Sequence, residues 1–174
     1  MQASPVEWQW CRFHALGVDD LYDALALRSA VFSVEQACAY LDPDGVDRQS
    51  SHLLGRDAAG VLQTYLRVVD PGVKYAEPSI GRVVTAPQAR GTGLGRRIFG
   101  EGVARCTAAW PGRGIRISAQ AHLDKFYGSF GFQGVGQAYQ EDNILHLEML
   151  RPADAGSPHP SPLPQCGRGG NSDT

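Results

Sequence analysis

Glycine occupies positions 91, 93 and 95 in the run Gln88-Ala-Arg-Gly-Thr-Gly-Leu-Gly-Arg-Arg97, and arginines stand at 90, 96 and 97. Alternating glycines let successive backbone N–H groups converge, because no Cβ blocks the approach and left-handed dihedrals cost little. A helix opening at the last glycine adds the positive end of its dipole. The chemistry on offer is the binding of an anionic, phosphate-bearing ligand. A purely structural αL turn is the plainer use of the same residues.

Two common phosphate sites do not fit. A phosphate loop needs Lys and then Ser or Thr after its last glycine, whereas Arg96-Arg97 follow Gly95. A dinucleotide site needs its glycines early in successive βαβ units and an acid at the end of the next strand. Here the loop falls in mid-chain, after antiparallel strands, and the next strand ends Ile117-Ser-Ala119.

The elements that must position this loop are legible on either side. Ser79–Thr85 is a branched apolar run that reads as a strand and is stopped by Pro87. After Gly95, the spacing of Phe99, Val103, Cys106 and Trp110, widened by Leu94 and Ile98, predicts an amphipathic helix. Pro111-Gly-Arg-Gly114 ends it before a strand at Ile115–Ala119, so the two strands are parallel with a right-handed crossover.

Upstream, Val6–Phe13 alternates as a strand, and Asp19 or Asp20 can cap a helix carrying Leu21, Leu25 and Phe32. A turn or second helical piece follows to Tyr40. Leu41–Asp47 is a turn-rich loop whose three acids lack the other ligand positions of a calcium loop; side-chain bonding to nearby backbone suffices for them. Ser51–Arg56 and Val61–Val69 form an antiparallel hairpin. Downstream come a short helix over Gln120–Phe130 and a last strand, Ile144–Leu150, with Ile144, His146 and Glu148 on one face. The whole predicts one domain over residues 1–150, with a mixed sheet of about six to seven strands flanked by helices. Residues 151–174 hold five prolines, four glycines and three serines with no apolar period, a composition expected to be disordered.

Sixteen basic residues face eighteen acidic ones, a balance with no footprint for nucleic acid or an anionic membrane. No apolar stretch approaches a membrane span, and nothing resembles a leader, so a cytoplasmic setting is expected. Cys11, Cys38, Cys106 and Cys166 fit no short ligand spacing, and no metal is expected. Trp8 and Trp10 on the first strand suit a core or a homodimer contact equally.

Gln88-x-x-Gly91-x-Gly93 matches the pyrophosphate signature of the GCN5-related N-acetyltransferase superfamily. Leu27–Gln36, Tyr40 with Asp44–Asp47, Tyr65-Leu-Arg67, Ile80–Val83, Ala119-Gln120, Phe126-Tyr127 and Tyr139-x-Glu141-Asp142 with His146 look like its ElaA subfamily. The resemblance runs from about residue 8 to 150. It implies an acyl-CoA N-acyltransferase fold of mixed α/β class, its sheet splayed between the fourth and fifth strands to admit the pantetheine arm of acetyl-CoA. Val83, Val84 and Thr85 would bond the pantetheine amides. Gln88, Arg90, Gly91, Thr92, Gly93, Leu94, Gly95 and Arg96 would surround the pyrophosphate. The activity implied is transfer of an acetyl or other acyl group to a primary amine of a small molecule or protein. A non-catalytic CoA-binding or regulatory module of the same fold is the alternative.

Acyl transfer to an amine requires orientation of the reactants, removal of a proton and protonation of the departing thiolate. The resemblance places Tyr127 near the thioester sulfur as the acid. Glu35 and His146 are candidates for the proton acceptor. Arg28, Glu35, Arg67, Arg82, Gln120 and Glu141 are candidates for the acceptor pocket, although the arginines pair more naturally with Glu35, Asp47, Glu141 and Asp142 in a structural network.

Overall fold

The computed structural model describes residues 5–154. Eight strands form one mixed sheet: β1 (Glu7–Arg12), β2 (Ser50–Arg56), β3 (Leu62–Val69), β4 (Ser79–Thr85), β5 (Ile115–Gln120), β6 (Gln133–Gly134), β7 (Tyr139–Glu141) and β8 (Ile144–Arg151). Their spatial order is β1-β2-β3-β4-β5-β8-β6, with β7 also on β8. The two short strands β6 and β7 were not anticipated, since stretches of two and three residues are too brief to show a period. The expected disordered tail lies mostly outside the described residues. Of its first residues, Arg151 completes β8 and donates to the Phe130 carbonyl.

Three helices flank the sheet: α1 (Val18–Arg28), α2 (Leu94–Ala109) and α3 (Asp124–Gly128). Gly17, not an aspartate, is the N-cap of α1. Asp20 sits three residues on, accepts from the Gly17 N–H and is also held by Gln9 and Arg56. The chain continues from α1 into a π-helical segment, Ser29–Glu35. The helix predicted over Gln120–Phe130 is confined to α3, because β5 extends through Gln120 and a 3₁₀ turn intervenes.

Each face of the sheet has its own core. Leu66, Val68, Ile80, Ile117 and Met149 pack with Ile98, Phe99, Val103 and Cys106 of α2. Leu54, Tyr65 and Val84 pack on the other face with Ala24 of α1 and Val31. α2 lies very close to β3: a Cβ at Gly102 would come within 2.7 Å of the Leu66 side chain. Trp8 and Trp10 pack against the α2-side core, with Arg97 and Arg105 over their rings at 5.8 and 5.7 Å.

Strand parity changes inside β4. Tyr65 pairs with Val84, but Arg67 pairs with Gly81, so β4 carries one residue more than β3 between these points. Arg82 occupies this bulge with φ of 53°. Such an insertion moves every later side chain to the opposite face. Ile80 therefore faces α2, Val84 faces α1, and Arg82 reaches the acidic loop on the α1 side instead of entering the α2 core.

That loop is the hub of an ionic network. Arg28, only 1% exposed, bonds Asp42 and Asp47; Arg67, 3% exposed, bonds Asp44 and Asp47; Arg82 bonds Asp42 and Asp44. The arginines do form a structural network, but with the loop acids rather than with Glu35, Glu141 or Asp142. Three charges of each sign balance. Next to it, His52 bonds the Tyr65 hydroxyl and the Asp47 carbonyl at 2.7 and 2.9 Å.

Burial alone would raise the Asp47 pKa, but hydrogen bonds from Arg28 and Arg67 outweigh it and hold the carboxyl below its usual range. A lowered folded pKa contributes stability that is complete above the unfolded value near pH 4 and is lost as pH falls through the folded value. Asp47→Ala leaves two buried guanidiniums short of a partner and is expected to cost about 3–5 kcal/mol at neutral pH. It should also flatten the acid side of the stability curve. Urea unfolding between neutral and acid pH measures both effects.

Candidate active site

β4 and β5 are parallel neighbours that pair only at Ser79 and Arg116, where the Arg116 N–H donates to the Pro78 carbonyl at 3.0 Å. Beyond this point they separate. A cleft of about 570 Å³ occupies the gap and is lined by Ile80–Val83 on one side and Ile117, Ser118 and Gln120 on the other. It passes through the sheet. Phe99 and Tyr127 border it on the α2 side, while Arg67, Glu141 and His146 border it on the α1 side. Two reactants can therefore approach one point from opposite faces.

The glycine loop follows β4 directly. Gly91 and Gly93 have φ of 75° and 80°, and an added Cβ at either would meet nothing within 4 Å. The glycines are required by dihedral angle, and the space beside them is open. Gly93 is the N-cap of α2, so Leu94, Gly95 and Arg96 form the first turn, whose N–H groups have no acceptor within the helix. The Arg90 N–H is taken by the Pro87 carbonyl at 3.3 Å, which moves the start of the available row to Gly91. Thr92 donates its hydroxyl to the Ala89 carbonyl and braces the turn.

Side chains around the loop are mostly committed elsewhere. Arg90 makes a two-pronged pair with Glu35 at 2.7 and 3.0 Å. Arg96 bonds Ser129 and lies 4.8 Å from the Phe130 ring centroid. Gln88 turns to Gln63. In β4, Val83 borders the cleft; further along, the Val84 carbonyl accepts from Thr64, and that of Thr85 from Arg90.

Tyr127 is fixed by aromatic edges. The ring of Phe99 meets it at 5.0 Å and 65°, and that of Phe126 at 5.1 Å and 78°. Burial pushes its pKa up to about 12. It borders the cleft, and among the described residues its hydroxyl has no hydrogen-bond partner. The group is thus a protonated donor with nothing among the described residues to donate to.

On the opposite side, His146 Nδ1 lies 2.9 Å from the Ile144 carbonyl. A carbonyl only accepts, so the proton is on Nδ1 and the Nε2 lone pair is left free in the neutral ring. Tyr139 stacks on the ring at 6.0 Å, and Glu141 lies 4.0 Å from Nδ1. Ser118 bonds the Tyr139 hydroxyl at 2.6 Å and donates to Glu141 at 3.4 Å. Gln120 lies opposite His146 in the ladder and also borders the cleft.

Two expected site residues are elsewhere. Glu35 does not border the cleft; its pKa is lowered by the hydrogen bond from Arg90, which makes it a poor proton acceptor. Arg28 is enclosed by Asp42, Asp47 and Tyr65 and cannot reach a ligand. Ser118, Tyr139 and Lys74 reach the site unforeseen. The alternation of Ser118 with Ile117 and Ala119 was the available signal for the first. Lys74 lies in the irregular connection before β4, where no period exists to read.

The family model for the acetyltransferase (GNAT) domain matches residues 34–151. Escherichia coli ElaA is 39% identical over 148 residues, covering 84% of this chain and 96% of its own. A Synechocystis UPF0039 protein is 43% identical over 145 residues, covering 83% and 94%. Among solved structures, an acyl-CoA N-acyltransferase from Pseudomonas aeruginosa superposes with a TM-score of 0.81 at 38% identity, covering 84% of this chain and 99% of that one. The crystal structure of E. coli ElaA gives 0.79 at 38% identity, covering 84% and 99%.

Gly93→Val forces a branched side chain into the left-handed region at the mouth of the loop, a strain of about 1–2 kcal/mol, and places a side chain where a ligand would lie. Coenzyme A binding should weaken at least about tenfold by calorimetry, with the far-ultraviolet circular dichroism of the fold retained.

Proposed function

The chain belongs to the acetyltransferase (GNAT) family, and on that premise we propose that it transfers an acetyl group from acetyl-CoA to a primary amine of a small molecule or protein. The observation that carries this reading is the cleft through the sheet, opened by the parting of β4 and β5 after one pair, with the glycine loop at the end of β4. The residues present fit the donor. Open space beside Gly91 and Gly93 admits a diphosphate to the first turn of α2, and the gap beside Ile80–Val83 admits an extended arm.

Acetyl-CoA, when bound, supplies an activated acyl thioester. The roles of the chain follow from position. The N–H groups from Gly91 into the first turn of α2 hold the diphosphate. Backbone groups of Ile80–Val83, lacking strand partners on the β5 side, orient the arm as an added strand would. His146, through Nε2, accepts the proton that the amine loses as its nitrogen forms the new C–N bond. Tyr127 donates its hydroxyl proton to the sulfur as the C–S bond breaks. Gln120 and Glu141 orient the amine beside His146.

Substituting either proton-handling group tests the scheme. Tyr127→Phe is expected to lower kcat roughly 10²-fold without a comparable loss of coenzyme A affinity. His146→Gln should do likewise. In the unsubstituted enzyme the high pKa of Tyr127 keeps its proton in place through ordinary alkaline assay conditions, so this hydroxyl should produce no alkaline fall in kcat. Steady-state acetylation of an amine panel, with calorimetry alongside, supplies the measurements; full turnover by Tyr127→Phe rules out an obligatory acid at 127.

A further inference from the structure

Of the cations that border the cleft, Arg67 and Arg82 are paired with Asp44, whereas Lys74 has no carboxylate oxygen within 4.0 Å among the described residues. Its Nζ lies 5.4 Å from the Tyr75 ring centroid, a contact that leaves all three N–H donors unbonded. The ionic network beside it is balanced and has no acid to spare. Arg67 further leaves its Nε buried with no acceptor. Donors therefore outnumber acceptors along this wall.

Charge is laid out unevenly across the cleft. On the β8 side, Glu141 lies beside His146 and is bonded only through Ser118, so it favours a cationic group. On the β3–β4 side, Lys74 is an exposed residue whose charge is disfavoured by partial desolvation and by the nearby Arg67 and Arg82, and favoured by Glu141 and Asp44. With no carboxylate in contact, its ammonium gains from an anion brought in by a ligand.

We propose that the amine acceptor also carries a carboxylate, bound by Lys74, so that the enzyme acetylates amino carboxylic acids, with the ammonium end received between Glu141 and His146, where it loses one proton to solvent before attack and the second to His146 as the C–N bond forms. This rests on the transferase reading and names its acceptor class. The binding is charge-assisted at both ends, by groups of opposite sign that border one cleft. An amine without the carboxylate leaves Lys74 unpaired, and a di-cation meets it with the wrong sign.

The test compares the common amino acids with their carboxamides, at saturating acetyl-CoA, with spermidine and an amidated lysine peptide as acceptors that lack a carboxylate. The acids are expected to show kcat/KM at least tenfold above their amides. Lys74→Met should raise KM for the acids and bring the acid-to-amide ratio toward one, while Lys74→Arg retains the preference. Amides that match the acids, or a Lys74→Met variant that lowers both alike, overturn the proposal. Acetylation of spermidine or the lysine peptide with the acids untouched overturns the carboxylate assignment alone. Coenzyme A binding with no transfer to any of these amines overturns the transferase reading as well.

Discussion

Two parallel strands in the middle of a sheet ordinarily satisfy each other along their whole length, and here they do so at one residue pair. Past Ser79 and Arg116, β4 and β5 carry inward backbone groups with no strand to receive them. Buried N–H and C=O groups demand partners. In an interior position this demand can be met by water or by an extended ligand that lies in the gap, and the rest of the molecule is built to keep the gap from closing. α2 and its aromatic neighbours hold one side, with Phe99 in ring contact with Phe126, Tyr127, Phe130 and Phe132. The β7–β8 hairpin and the acidic loop hold the other.

The ionic network adds geometry more than net stability. Removing two charges from water costs nearly what their attraction returns, so a buried pair is weak evidence of a large stability gain. What the network does fix is the relation between four parts of the chain that have little else in common: the end of α1 through Arg28, the loop of Asp42–Asp47, β3 through Arg67 and the bulge of β4 through Arg82. The arginine that terminates the bulge is held at a positive φ by bonds to Asp42 and Asp44. Local strain is thereby compensated by a non-local contact, on the strand that forms the cleft wall.

Much of this was legible in the residues. The glycine loop, the amphipathic period of α2 and the parallel pair around it carry strong local signals, and the structure has them where the spacing put them. Tyr127 could be singled out, but only with the help of the family motif, because an aromatic beside other aromatics reads equally well as core. Of the partners of Arg28, Arg67 and Arg82, Asp47 was legible in the sequence, while Asp42 and Asp44 were not. Asp42 and Asp44 sit in a turn whose composition already accounts for them, and only the fold brings them against β3 and β4. The one-residue bulge in β4 was equally hidden, since it leaves no trace in an alternating pattern that is apolar on both faces. The engagement of Glu35 was hidden for a related reason: its partner, Arg90, is 55 positions away.

The near contact of Gly102 with Leu66 has a mechanical side. Nine residues, roughly 13 Å of helix, separate this point from the N-cap at Gly93. A larger residue at 102 would have to displace the Leu66 side chain or lift the middle of the helix from the sheet. On the transferase reading, donor affinity would then be open to tuning by substitutions in the middle of α2 that touch no ligand.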